Sequence, residues 1–329
     1  MKRAMLAAAG CLALSGVVQA FRPAVIAAPD PPVTKDQGNK WMTELSNWGR
    51  WGKADQIGTL NLITPDKRRQ ALKLVRDGVA VSLAHTIDKE KAADNPRPLG
   101  QEMVLDAGGH AMDLYSIWYH GSVITHIDSL CHYSFEGKIF NGFERSAIAP
   151  GPGCPSNGIE NQKAGIITRG IIVDLPRMKN LPYLEPGTAI YVEDLEAWEK
   201  KSGVKITSGD AVLLRTGRWA RREKLGPWNV GQSAAGLHAS VAPWIKARGV
   251  AFLGSDAAED VTPSMVEGIT LPIHTLMITG LGMNLLDNQD LEALGDTAAR
   301  LNRWEFMLTI APVPVTGGTG FPLNAIAMF

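Results

Sequence analysis

The run His120-Gly-Ser-Val-Ile-Thr-His126-Ile-Asp128-Ser-Leu-Cys-His132 gathers three of the chain's seven histidines and an aspartate into thirteen residues. Apolar residues separate the polar ones. In an extended chain, side chains at even offsets share one face. His120, Ser122, Ile124, His126 and Asp128 have that parity, and His132 follows a short break from which it can curl back. Neutral imidazole with carboxylate is a donor set that a borderline divalent cation takes. Such a cation acidifies bound water and polarises a carbonyl, which is the chemistry of amide or ester hydrolysis. A polar cluster satisfied by its own hydrogen bonds is the alternative. One histidine alone would favour that reading, but three with an aspartate at this spacing favour a metal site.

The flanking pattern predicts the elements that must hold this run. Thr64-Pro65-Asp66 opens a helix with Thr64 as N-cap, ending at Gly78. Residues 79–85 alternate as a strand, 88–102 form a loop, and Asp106-Ala-Gly-Gly-His110 turns the chain. Residues 114–128 are strand-like and carry the motif, and 137–142 read as a turn-rich hairpin. A Gly- and Pro-dense loop covers 147–162. Buried strands are expected at 170–176, 209–217, 250–256 and 304–312, and helices at 192–201, 233–247 and 291–301. Gly317-Gly-Thr-Gly320 reads as a tight loop; no helix start follows it, so it is no nucleotide fingerprint. Strands and helices mix without a repeat or an internal linker. The expectation is one α/β domain over residues 41–329, with mixed sheets and flanking helices.

Composition narrows the function. The 329 residues include 33 Lys+Arg and 33 Asp+Glu, a formal net charge of zero, which argues against a nucleic-acid partner. Met1-Lys2-Arg3 followed by the apolar, small-residue run 4–20 reads as a signal peptide, cleaved after Val18-Gln19-Ala20 or Ile26-Ala27-Ala28. Residues 1–28 are assigned to that peptide and the start of a flexible lead-in that runs to 40. The mature chain would be periplasmic or secreted, with no stable membrane span. It would keep only Cys131 and Cys154, which an oxidising compartment permits to pair. Within the motif, Cys131 also reads as a small buried hydrophobe. Nine Trp against five Tyr leaves several aromatics for a pocket wall; Trp48, Trp51, Trp118 and Phe135 are the candidates, with core packing as the alternative.

With these motifs in hand, the chain resembles the cyclase-like metal-dependent hydrolases, which include bacterial kynurenine formamidase and isatin hydrolase. The resemblance rests on Trp48-Gly-x-x-Gly-x-x-Asp55-Gln-Ile-Gly-Thr-Leu-Asn61, Thr125-His126-Ile-Asp128-Ser-Leu-Cys-His132, Gly137-Lys-x-x-Asn141-Gly142, Gly209-Asp-Ala-Val-Leu-Leu-Arg-Thr-Gly217 and the stretch from His274 to Leu291. It implies a swivelling β/β/α fold. The family signature, His-x-Gly-Thr-His-x-Asp-x-Pro-x-His, places metal ligands at His126 and Asp128 and an acid/base histidine at His132. The later ligands fall on His274 and Asp287, the latter in place of the usual glutamate. The signature's first histidine falls on Ser122. His120 lies two residues away, about 6–7 Å further along an extended chain, and either residue is a candidate for the vacant position. Relatives hold two zincs or one manganese, so zinc or manganese is the expected cofactor, with one ion in this chain.

The resemblance implies hydrolysis of an amide or cyclic amide C–N bond in a small-molecule substrate, arylformamidase-like, by a homo-oligomer. A lactone hydrolase and a polyketide-type cyclase share the same scaffold. A periplasmic metal- or small-ligand-binding protein that has lost turnover is the alternative outside catalysis. Asp256, after Ser255, is a candidate to orient a ligand histidine, or a turn cap. His85, His110 and His238 read as structural or exposed.

Overall fold

The computed structural model describes residues 33–329. The proposed signal peptide lies outside them. A nine-stranded mixed sheet organises the described chain. Its strands, in chain order, are β1 (Ala80–Ser82), β4 (His126–Asp128), β5 (Ile166–Asp174), β7 (Ala211–Arg215), β9 (Phe252–Ser255), β10 (Leu285–Asp287), β11 (Glu305–Ile310), β12 (Gly320–Pro322) and β13 (Ile326–Met328). Their spatial order is β1-β13-β11-β5-β7-β9-β10-β4-β12. A hairpin of β2 (Gly100–Leu105) and β3 (Ala111–Ser116) stands apart, as does the short pair β6 (Ala189–Ile190) and β8 (Gly236–Leu237). Strands β5, β7, β9 and β10 run parallel.

Those central strands are buried on both faces, which is why they read as continuous apolar runs rather than alternating ones. Val212, Leu214, Leu253 and Leu285 enter one core with Trp198, Ile245 and Ile278. Ala211, Leu213, Phe252 and Leu286 enter the other with Leu294 and Phe306. Ile127 belongs to the second core, so its neighbours His126 and Asp128 face the first. Asp287 shares parity with Leu285 and points the same way. The polar cluster is therefore set into the first core's side of the sheet.

Among the described residues eight α-helices flank the sheet: α1 (Lys35–Glu44), α2 (Pro65–Leu72), α3 (Leu175–Met178), α4 (Val192–Ser202), α5 (Arg218–Leu225), α6 (Ala242–Arg248), α7 (Pro272–His274) and α8 (Glu292–Leu301). The Thr64 cap forms, its hydroxyl accepting from the Lys67 amide at 3.1 Å. In α4, acids stand in the first turn and lysines in the last, and Gly203 closes it with φ +74°. Among the described residues no helix is long and apolar enough to cross a membrane.

Several expectations are corrected. Residues 114–128 are not one strand: β3 ends at Ser116 and β4 begins at His126, with irregular chain between. The shared parity of His120 and Ser122 with His126 therefore does not apply. Helix α1 lies within the expected lead-in and places Met42 in the first core. Helix α2 stops at Leu72, six residues before Gly78. The 233–247 segment is helical only from Ala239, a 3₁₀ turn leading into α6 at Ala242, since Gly236–Leu237 pairs with β6. The 317–322 loop supplies β12, whose Gly320 packs on β4. A Cβ at Gly320 would sit 2.2 Å from the Ile127 carbonyl, so only glycine fits there. Cys131 and Cys154 form a disulfide, with Cα atoms 6.4 Å apart. Cys131 is thus a cross-link as well as a buried residue.

Candidate metal centre

Strand β4 sits between β10 and β12, and its register decides the site. Asp287 lies directly opposite His126, and Gly320 opposite Asp128. Cross-strand neighbours on one face are within side-chain reach. His274 arrives from α7. The chain passes from it into a π-helical stretch, Thr275–Leu281, an irregularity often found beside functional sites. His120 arrives from the irregular segment after β3.

Two donor groups result, and they share Asp128. His120, His126 and Asp128 form one; Asp128, His274 and Asp287 form the other. Within each, the donor atoms lie within 4.8 Å of one another. His126 Nδ1 stands 2.8 Å from the Ile124 carbonyl. A carbonyl can only accept, so Nδ1 carries the hydrogen and Nε2 presents its lone pair, 3.5 Å from Asp128 Oδ1. His120 Nε2 meets the Thr319 hydroxyl at 3.0 Å, leaving Nδ1 3.2 Å from Asp128 Oδ1. His274 Nδ1 is 2.6 Å from Asp260 Oδ2, leaving Nε2 3.6 Å from Asp287 Oδ2 and 3.9 Å from Asp128 Oδ2.

The test of a metal site is what the protein leaves unpaired. Both carboxylate oxygens of Asp128, Oδ1 of Asp287 and Nδ1 of His120 are buried without a hydrogen-bond partner. Buried polar groups are otherwise almost always satisfied. Orphaned atoms of one imidazole and two carboxylates, with Nε2 of His126 and of His274 turned to the same carboxylates, fit a divalent cation. Asp128 is held below the usual carboxylate range: burial opposes this, but the charges of His132, His126 and His120 outweigh it. His274 is raised above the usual imidazole range, since Asp260 and Asp287 outweigh its burial.

His132 stands outside both donor groups. Its ring stacks on His120, centroids 3.8 Å apart and 4° from parallel, and Nε2 is 3.9 Å from Asp128 Oδ2. Burial pushes it down to about 4, so it is neutral at pH 7 and keeps a nitrogen lone pair free. Beside it, Tyr133 contacts His132 and His274 edge-on or tilted, at 5.0 and 5.1 Å. Burial pushes that phenol up to about 12, keeping it a donor. Tyr133 and Phe135 wall a cavity of about 650 Å³, with Lys35, Asn39 and Met42 from α1 and Leu276 opposite.

Trp118 and Ser122 line a separate cleft of about 280 Å³ on the far side of His120. Trp118 is 62% exposed and lies under Arg97. His120 joins His126 and Asp128 in one donor group, while Ser122 lines the cleft with Trp118. Trp48 and Trp51 do not line the main cavity. The Trp48 indole donates to the Thr279 carbonyl at 2.7 Å, and Trp51 packs against Arg50. Asp256 caps the turn at Thr216–Arg218 through its carboxylate and does not reach a ligand histidine. Asp260 performs that role. Glu259, fully buried with both oxygens unpartnered, faces His274. Burial first, and the charge of Asp287 next, push it well above the usual glutamate range. Neither acid was separable in sequence from ordinary turn residues after β9.

This fold and donor set define a mixed α/β scaffold built around a histidine–carboxylate centre. The chain belongs to the family whose model is described as "Putative cyclase", matched over residues 81–259. It is similar to a solved structure described as a novel cyclase, at 30% identity, TM-score 0.78, covering 88% of this chain and 99% of that one. Isatin hydrolase A from Ralstonia solanacearum shares the fold at 21% identity and TM-score 0.54, covering 78% and 93% of the two chains. So does isatin hydrolase A from Labrenzia aggregata, bound to benzyl benzoate, at 19% identity and TM-score 0.54, covering 78% and 94%. No curated protein sequence matches the chain.

Proposed function

We propose that this protein is a metal-dependent hydrolase that cleaves the C–N bond of an amide or cyclic amide. The observation that carries the reading is Asp128: a fully buried carboxylate with both oxygens unpartnered, set between two imidazole-bearing donor groups and beside a neutral His132. His120, His126, Asp128, His274 and Asp287 would hold the divalent ion, zinc or manganese by donor type. The ion supplies an acidified water and positive charge for the carbonyl oxygen. His132 takes the proton of the attacking water at Nε2. It returns that proton to the leaving nitrogen as the C–N bond breaks and its electron pair departs with nitrogen. Tyr133, held protonated, donates a hydrogen bond to bound substrate.

The cavity beside Tyr133 and Phe135 suits a flat aromatic amide, and the named substrate of the isatin hydrolases is a cyclic amide. The Cys131–Cys154 bond supports action in an oxidising compartment, periplasmic or extracellular, after signal-peptide removal. The test is elemental analysis of purified mature protein, joined to a screen of formanilides, cyclic imides and lactones. Stoichiometric zinc or manganese and metal-dependent turnover of an amide or imide are expected. Lactone turnover alone would move the assignment to C–O bonds. Folded protein that binds metal but turns over none of the three classes would make it a binding protein.

A further inference from the structure

The cleft on the far side of His120 is built around an arginine. Arg97 stands between Pro96 and Pro98, and a residue that precedes proline is confined to extended backbone. The β2–β3 hairpin pairs Gly100 with Ser116 at its base, which sets Arg97 just before one strand and Trp118 just after the other. Both line the cleft, and their side chains meet there, the guanidinium carbon 4.4 Å from the Trp118 ring centroid. Stacking holds the plane of a guanidinium and leaves its edge of N–H donors open. The one acid in the lining, Asp94, is matched elsewhere: it accepts from Arg222 at 2.6 and 3.2 Å and from Arg218 at 3.4 Å. No carboxylate pairs with Arg97 among the described residues. Pro96 and Val123 add apolar wall beside it.

The cleft and the 650 Å³ cavity lie at the two ends of one row of rings. His120 lines the cleft and stacks on His132 at 3.8 Å; His132 meets Tyr133 edge-on at 5.0 Å, and Tyr133 lines the cavity. A bond cleaved along this row has one recess for each of its two fragments. The larger recess takes an aromatic half. The smaller, of about 280 Å³, takes a short chain ending in a planar anion, which a guanidinium grips through two parallel N–H···O bonds. We propose that the cleft is a carboxylate subsite of the same active centre, with Arg97 as the residue that selects for the charge. The inference rests on the hydrolase reading above and names its substrate class: an aromatic amide whose acyl chain ends in a carboxylate. The two prolines and the Trp118 ring hold Arg97 in place before substrate arrives, which lowers the ordering cost of binding.

The test compares succinanilate and glutaranilate with butyranilide and valeranilide, whose acyl chains have matched lengths but end in methyl. Hydrolysis by the purified mature protein gives KM and kcat, and calorimetric titration gives Kd for any compound that is not cleaved. The two acids are expected to show KM or Kd at least tenfold below their methyl-ended partners. Arg97→Gln should remove that preference. Arg97→Lys keeps the charge but loses the flat two-pronged edge, so it should keep part of the preference, and it stands in if the Gln variant does not fold. Acids that bind no more tightly than their partners, or a preference unchanged in Arg97→Gln, would overturn the subsite and leave the hydrolase reading in place. Arg97-dependent binding of the acids with cleavage of none of the four would uphold the subsite and count against the hydrolase reading.

Discussion

His274 is held at both its ring and its backbone by one carboxylate: Asp260 Oδ2 lies 2.6 Å from Nδ1 and 3.1 Å from the amide of His274, while Oδ1 takes the Ile273 amide at 2.7 Å. The same acid therefore starts α7 and fixes which imidazole nitrogen faces the centre. Second partners of this kind set ligand orientation and basicity, and losing one costs about 10–100-fold in metal affinity. Asp260→Asn is expected to lower zinc affinity by about that factor in a competition titration with a chelator, while circular dichroism shows the fold retained. Unchanged affinity would reduce Asp260 to a helix cap.

His120 and Ser122 make a sharper comparison. The structure places Nδ1 of His120 3.2 Å from Asp128 Oδ1, orphaned and buried, and Ser122 in the cleft with Trp118. His120→Ala should lose bound metal, by elemental analysis, and turnover with it. Ser122→Ala should retain metal and stay within about twofold of wild-type kcat. A metal loss in the serine variant would return the hydroxyl to the ligand set.

The outcome at these two positions shows where reading the sequence stops. That His126, Asp128, His274 and Asp287 converge follows from the pairing of β4 with β10 in register and from α7, which brings His274 in. The central strands were legible because burial on both faces leaves long apolar runs. His120 was reached for the wrong reason: strand parity was invoked, yet the chain from 117 to 125 is irregular and its hold on Thr319 comes from the far C-terminal end. Glu259 and Asp260 were missed because acids after a strand are ordinary turn residues. Only the tertiary approach of α7 brings His274 against them. Trp48 and Trp51 do not line the 650 Å³ cavity, since aromatic area serves packing and pockets alike and the Thr279 carbonyl claims the Trp48 donor.

The disulfide bears on catalysis through its position. Cys131 precedes His132, and the bond ties that turn to Cys154 in the loop that follows the hairpin. Closing a loop across a separation of 23 residues is worth about 3 kcal/mol in chain entropy. Reduction, or Cys154→Ser, should lower the unfolding temperature by on the order of 5 °C. It should also lower kcat more than metal content, because the ligands sit on β4, β10, α7 and the segment before β4, and only His132 lies on the tethered turn. Equal losses of metal and kcat would show that the bond supports the whole centre.

His132 gives a pH signature in the metal-free protein that can be separated from the rest. Its folded value is pushed down to about 4 from an ordinary 6.5, so between those values the unfolded chain holds a proton that the folded one does not. Stability from this group is complete above pH 6.5 and is lost as pH falls toward 4, by at most about 3 kcal/mol. Glu259, raised by burial and Asp287, has the opposite slope above pH 4.5, because there the folded chain holds the extra proton. The raw wild-type curve therefore mixes the two, and the informative quantity is the difference from His132→Asn. That difference, from urea unfolding of chelator-treated protein at pH 4.5, 5.5, 6.5 and 7.5, should shrink steadily as pH falls below 6.5 and stay level above it. A difference that does not change with pH would mean that His132 titrates normally, and that its neutrality at pH 7 owes nothing to its packing against His120.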